Sequence, residues 1–172
     1  MSVLHIPVLR TARLVLEPLA RAHSAGMFAM WSQEPVCRHS GLALDVDGAP
    51  IPLPAASPAD SDRILEFFVR RAARGEGFRW AAIDAADGGF VGAVGFNHLR
   101  PRAELAYHLR PSHWGRGLAA EAVRAALDWL AAEGPGGPVQ AFIDPANTAS
   151  IRLAQRLGFE KAPETERWVL RP

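Results

Sequence analysis

The sequence predicts a single α/β domain, residues 1–172, built on a mixed, mostly antiparallel sheet flanked by helices. Three observations carry the prediction. Short strand-like runs alternate along the chain with segments whose apolar residues recur at helical spacing. Two of the runs, Phe78–Asp84 and Phe90–Phe96, are separated by a link containing Asp87-Gly88-Gly89, which is hairpin chemistry and so predicts antiparallel neighbours. A third run, Glu104–Leu109, alternates apolar and polar residues, then passes through Gly115-Arg116-Gly117 into an Ala/Leu-rich helix, Leu118–Glu133.

The remaining elements run in order along the chain. Leu9–Glu17 reads as a first strand, with Leu14, Val15 and Leu16 as its apolar run and Pro18 as its end. Leu19 to about Ser32 carries Ala22, Ala25, Met27, Phe28, Met30 and Trp31 at helical spacing, and Pro35 and Gly41 interrupt the segment after it. Gly41–Pro58 holds Asp45-Val46-Asp47-Gly48 and then Pro50, Pro52, Pro54 and Pro58. Such a stretch excludes helix and suits a central strand poorly, which leaves a substrate lid or a disordered loop. Ala59–Arg74 has a helical stripe of Ile64, Leu65, Phe67, Phe68 and Ala72, closed by Gly75 and Gly77. Asn97–Arg102 turns the chain into the Glu104–Leu109 strand. Gly134–Pro138 ends the long helix, Val139–Asp144 is a strand broken by Pro145, and a short helix runs from Thr148 or Ala149 to Leu157 with Gly158 as its cap. Trp168, Val169 and Leu170 form a last short strand.

Composition narrows the function. Lys and Arg number 19 against 18 Asp and Glu, and a net charge of +1 argues against a protein built to bind nucleic acid or acidic membrane. Met1–Arg10 lacks the apolar core of a signal peptide and no run approaches a membrane span, so a cytoplasmic protein is expected. One cysteine, Cys37, rules out an internal disulfide framework; with no base fixed beside it, it reads as a partly buried, unreactive thiol. The six histidines, His5, His23, His39, His98, His108 and His113, show no metal-ligand spacing, so no metal is expected.

A strand, a glycine turn and a helix in that order make an anion site, because the turn points several N–H groups at one spot and the helix N-terminus adds partial positive charge. The plain alternative is a tight connection with no ligand. A nucleotide P-loop needs Lys-Ser/Thr after the last glycine, and Leu118-Ala119 stand there instead. Gly115–Ala120 does satisfy the dinucleotide fingerprint, and Asp144 could serve as its ribose acid. Against this, the preceding strand alternates, the strands before it look antiparallel, and too little chain follows Asp144 to finish a doubly wound sheet.

The run Trp114-Gly115-Arg116-Gly117-Leu118-Ala119 resembles the Q/R-x-x-G-x-G/A phosphate-binding motif of the GNAT superfamily of acyl-CoA-dependent N-acyltransferases. Trp114 departs from the general pattern but is common in the ribosomal-protein N-terminal acetyltransferase (RimJ/RimL-like) branch. Thr11-Ala12-Arg13-Leu14, Asn147-Thr148-Ala149-Ser150 and Leu157-Gly158-Phe159 match further segments of that branch in the right order. The resemblance implies a GNAT fold in which the strand before the turn and the next parallel strand splay apart to hold acetyl-CoA. It further implies that the backbone around His108, Leu109 and Arg110 holds the pantetheine arm and thioester carbonyl. The N–H groups of Gly115, Arg116, Gly117, Leu118, Ala119 and Ala120 would hold the pyrophosphate, with the Arg116 side chain adding a charge-assisted contact.

Acyl transfer to an amine needs a neutral amine, a stabilised carbonyl oxygen and a proton for the leaving thiolate. Alternation puts Glu104, Ala106 and His108 on one face of the strand, with Leu105, Tyr107 and Leu109 on the other. Glu104 is the leading general base, acting through a water; the plain alternative is a solvent-facing glutamate or a partner of Arg102. His108 is the reserve base. Many superfamily members protonate the thiolate with a tyrosine on the helix after the next strand, but the one tyrosine here, Tyr107, lies on the earlier strand. The resemblance therefore points to Ser150 for that proton and to Asn147 for the pantetheine arm, against capping and turn roles for both. The expectation is an acetyl-CoA:amine N-acetyltransferase working in a ternary complex on a peptide or small-molecule amine, with a homodimer allowed. Two other classes stand beside it: a catalytically silent CoA-binding sensor and an NAD(P)-dependent oxidoreductase. Asp45, Asp47, Asp60 and Asp62 would either attract a cationic acceptor or be solvated loop charges.

Overall fold

The computed structural model describes residues 4–163 and 165–172, so the first three residues of the Met1–Arg10 stretch lie outside the described residues. Strands β1 (Leu9–Arg10), β2 (Leu14–Pro18), β5 (Phe78–Asp84), β6 (Phe90–Phe96), β7 (Ala103–Leu109), β8 (Val139–Phe142), β9 (Glu160–Lys161) and β10 (Arg167–Leu170) form one eight-stranded sheet in the order β1-β2-β5-β6-β7-β8-β10-β9. Every neighbouring pair is antiparallel except β7–β8. A sheet with one parallel pair is not doubly wound, which removes the dinucleotide fold from consideration.

Helices cover both faces. On one, α4 (Leu118–Glu133) and α5 (Thr148–Arg156) bury Leu118, Ala122, Val123, Ala126 and Trp129, and Leu153 and Ala154, against Leu105 and Leu109 of β7. Trp129 meets Phe78 and Trp80 edge-on at 5.3 Å, geometry worth about 0.5–1.5 kcal/mol per aromatic pair beyond area burial. On the other face, α1 (Ser24–Trp31), α2 (Glu34–Cys37) and α3 (Pro58–Ala73) pack Met27, Met30, Val36, Ile64 and Leu65 against Ala81 and Ala93.

The short helix α2 and the strand β9 are not expected from the sequence, and three further regions differ from its reading. The expected strand Leu9–Glu17 is a small hairpin: Thr11 N–H donates to the Leu14 carbonyl at 2.9 Å and Thr11 Oγ1 accepts from Leu14 N–H at 3.0 Å, folding β1 back on β2. The helix expected from Leu19 begins at Ser24, after a single tight turn over Arg21–His23. Gly41–Pro58 is neither bare nor disordered, since β3 (Ala43–Leu44) and β4 (Pro50–Ile51) pair as a hairpin. The Asp45 carboxylate organises its turn by accepting from Asp47 N–H and Ala49 N–H at 2.9 Å, and Ile51 is buried against α3's cluster. No described helix is long and apolar enough to cross a membrane.

Candidate active site

Strands β7 and β8 pair in register at Ala103 beside Val139 and Glu104 beside Gln140. Beyond them β7 continues to Leu109 on the β6 side, where Gly92 faces Leu109. Strand β8 keeps its pairing with β10 instead, so the two strands part and leave a gap. At the open end of the gap the chain makes a tight turn over Pro111–His113 and reaches the glycines. Gly115 (φ 72°) and Gly117 (φ 75°) both occupy the left-handed region, which a side chain with a Cβ enters at a cost. Gly117 caps α4 without a side-chain hydrogen bond, and the N–H groups of residues 115–120 have no hydrogen-bond partner among the described residues. Donors left over in this way at a helix N-terminus are suited to an anion. Trp114 closes the turn, its indole N–H donating to the Leu109 carbonyl at 2.9 Å while the ring stays about half exposed at 49%.

The turn is clamped from a distance of more than a hundred residues along the chain. Glu121, in the first turn of α4, accepts from Thr11 Oγ1, from Arg13 N–H at 2.8 Å and from Arg13 Nε at 2.8 Å; Arg13 Nη1 donates to the Arg116 carbonyl at 2.8 Å. This gives the Thr11-Ala12-Arg13-Leu14 motif a mechanical meaning. It also pairs the Glu121 carboxylate, in the first turn of α4, with a guanidinium. Burial would raise the Glu121 carboxyl, but the Thr11 and Arg13 bonds outweigh it and hold it below the ordinary glutamate value. Arg116 itself is exposed at the turn.

Across the gap, on the same face as α4, the Tyr107 hydroxyl donates to Ser150 Oγ at 2.8 Å. Asn147 caps α5, its side-chain oxygen accepting from Ser150 N–H at 3.2 Å. The capping expectation thus applies to Asn147 rather than to Ser150, and it leaves the Asn147 amide N–H₂ for other partners. Sequence reasoning set Tyr107 aside because it lies on the earlier strand; the splay folds that strand back against α5. Alternation, which put Tyr107 opposite Glu104 and His108, was the signal that could have found it.

Glu104 sits on the opposite face, in a polar cluster. Its Oε1 accepts from Asn97 Nδ2 at 2.9 Å and its Oε2 pairs with His98 Nε2; Arg102, the partner weighed from sequence, is not in contact. Asn97 in turn accepts from the buried Arg79 guanidinium, which lies 4.1 Å over the Phe68 ring, and its carbonyl accepts from Arg71 Nη2 at 2.9 Å. Burial pushes Arg79 down to about 9, with the Glu104 charge opposing the fall. His108 lies against Trp31 at 4.6 Å between ring centroids. Burial, helped by the charge of Arg79, pushes it down to about 3, so it is neutral near pH 7 and a feeble proton acceptor.

Other sequence candidates are committed elsewhere. Asp144 accepts from His39 Nδ1 at 2.8 Å and from Ala146 N–H at 2.9 Å. Asp45 and Asp60 share Arg63, and Asp62 accepts from Ser24 Oγ, so three of these four acids, two of them on α3, are already partnered. Burial, and then the charge of Glu34, raises the Cys37 thiol, which suits an unreactive cysteine. Arg110 holds the Phe90 carbonyl with Nη1 at 3.3 Å, while its buried Nε has no partner.

Residues 13–160 match the family described as Acetyltransferase (GNAT) domain. Over 93 residues the chain is 37% identical to the uncharacterized protein YkkB of Bacillus subtilis; the match spans about half the length of each, 52% of this chain and 54% of YkkB. The crystal structure of an acetyltransferase from Agrobacterium tumefaciens superposes with a TM-score of 0.75 at 27% identity, covering 98% of this chain and 95% of that one. The structure of RimL, a ribosomal L7/L12 alpha-N-protein acetyltransferase in complex with coenzyme A, superposes with a TM-score of 0.74 at 17% identity, covering 96% of this chain and 97% of that one; this likeness is one of fold.

Proposed function

Because the chain belongs to the GNAT acetyltransferase family, we propose that it moves the acetyl group of acetyl-CoA to a primary amine by direct attack within a ternary complex. The observation that carries this reading is the parting of β7 from β8 after Glu104 and Gln140, with the unpartnered N–H groups of residues 115–120 at the open end of the same gap. A pantetheine arm in the gap would bond the strand edge at His108, Leu109 and Arg110, and its pyrophosphate would meet the turn. The domain in this reading is the whole of residues 1–172, acting in the cytoplasm without metal, and the acceptor is a protein N-terminus or a small amine.

Within that reading Glu104 relieves the attacking amine of its proton, through a water, and Ser150 protonates the departing sulfur. Asn97 and His98 fix both Glu104 oxygens, so the carboxylate is oriented before an acceptor arrives. His108 is the weaker candidate for the base, since its ring is packed against Trp31 and holds a proton only in strong acid. Its backbone, on the edge of β7, remains suited to the pantetheine arm.

Two steps test the proposal. Thermal shift with acetyl-CoA, CoA, NAD and NADP should give stabilisation by the two CoA species alone. Thiol release should then accompany addition of an amine from a panel of peptides, polyamines and aminoglycosides. Stabilisation by CoA with no amine-dependent thiol release across the panel would favour the silent CoA-binding sensor, and stabilisation by NAD(P) alone would overturn the reading.

A further inference from the structure

Tyr107 is the polar side chain at the gap that the proposed chemistry leaves unused. It is the one tyrosine of the chain and stands on β7, yet its hydroxyl reaches α5 and donates to Ser150 Oγ at 2.8 Å. Ser150 is held at its backbone as well, through the Asn147 cap at 3.2 Å. A serine hydroxyl carries one proton. With Tyr107 as donor, Ser150 Oγ uses a lone pair toward the phenol and its own O–H is left for another acceptor. Had the bond run the other way, Ser150 would have no proton to give. Burial pushes the Tyr107 phenol up, and the opposing pull of the Ser150 bond is the smaller effect, so Tyr107 keeps its proton at neutral pH and can serve as the donor.

We infer that Tyr107 is a positioning residue for acetyl transfer, holding Ser150 Oγ as a donor toward the departing sulfur and replenishing the proton that Ser150 gives up. The inference rests on Ser150 as the source of the thiolate's proton. As the amine nitrogen bonds to the carbonyl carbon, the C–S bond breaks and its electron pair stays on sulfur. Ser150 passes its proton to sulfur, the Tyr107 proton moves onto Oγ, and the phenolate regains a proton from water. The proton shed by the amine leaves through Glu104. One amine and one thioester become one amide and one thiol, with no net change in the enzyme.

The test is a cycle of Tyr107→Phe, Ser150→Ala and the double variant. Melting and acetyl-CoA binding serve as checks of the fold. Turnover is measured with the best amine of the panel, or with glycinamide at high concentration. Tyr107→Phe should lower kcat about tenfold at unchanged KM for acetyl-CoA, and the double variant should be no slower than Ser150→Ala alone. Titration of bound CoA, read from thiolate absorbance, supplies a second measure that needs no acceptor. The thiol should ionise about one pH unit higher in Tyr107→Phe than in the wild type, a shift that a merely structural tyrosine would not cause. Full turnover in Tyr107→Phe, or losses that multiply in the double variant, would overturn the role of Tyr107 and leave Ser150 standing. Full turnover in Ser150→Ala would overturn the reading of Ser150 and this inference with it.

Discussion

The two sides of the β7–β8 gap are made of different material. Toward α4 the groups that matter are main-chain N–H donors from one contiguous stretch, residues 115–120, shaped by two left-handed glycines. Toward α1 and α3 they are side chains gathered from separate segments: Glu104 from β7, Asn97 and His98 from the link before it, Arg79 from β5, and Arg71 and Phe68 from α3. A backbone site tolerates side-chain change but depends on φ and ψ; a side-chain cluster tolerates backbone drift but fails when one partner is lost. The first suits a handle shared by every reaction cycle, and the second suits chemistry tuned to one acceptor.

Four substitutions would break or sharpen that contrast, in falling order of effect. Gly117→Val forces a β-branched residue to φ 75° and should weaken acetyl-CoA binding on the order of a thousandfold, read by calorimetry. Retained tight binding would mean that the turn does not hold the donor. Glu104→Gln should leave acetyl-CoA binding intact and lower kcat about a hundredfold. An unchanged kcat in that variant would remove Glu104 from the base role.

Glu121→Gln probes the clamp behind the backbone site and should raise the acetyl-CoA Kd about tenfold, because Arg13 loses its bidentate partner. It also has a pH signature. The Glu121 carboxyl is held below its ordinary value of 4.5, so its contribution to stability is complete above that pH and is lost as pH falls through the lower folded value. The wild type should therefore shed stability in that acid window while Glu121→Gln stays flatter there; identical acid limbs in melting experiments would show that the clamp contributes nothing. The smallest effect belongs to His39→Ala. This removes a partly exposed pair with Asp144 and should lower the melting temperature only slightly, with no change in acetyl-CoA affinity. A large loss of acetyl-CoA binding would put that pair on the donor side.

The same contrast explains what could be read in advance. The glycine turn, α4, the β5–β6 hairpin and the short helix ended by Gly158 are local: a glycine at positive φ, an apolar stripe and an Asp-Gly link each leave a mark within a few residues. The Pro-rich stretch read badly because its order comes from elsewhere, from Arg63 on Asp45 and from Ile51 buried in the α1–α3 cluster. Leu9–Glu17 looked like one strand because its apolar run is continuous, and only the Thr11–Leu14 hydrogen bonds turn it back.

By itself the sequence determined the order of the main strands and helices, the position of the glycine turn, and the faces of β7, because short-range sterics and the two-residue period of a strand act without reference to the rest of the chain. The tertiary structure alone decided which partners those faces meet. Strand β7 pairs with β8 for two residues and then leaves it, and Tyr107 beyond that point meets Ser150, 43 positions along the chain. It also turns a surface arginine motif into the clamp on α4. Contacts of this kind join residues tens to more than a hundred positions apart, and their geometry is set by how helices and sheet pack, a property that no local pattern encodes.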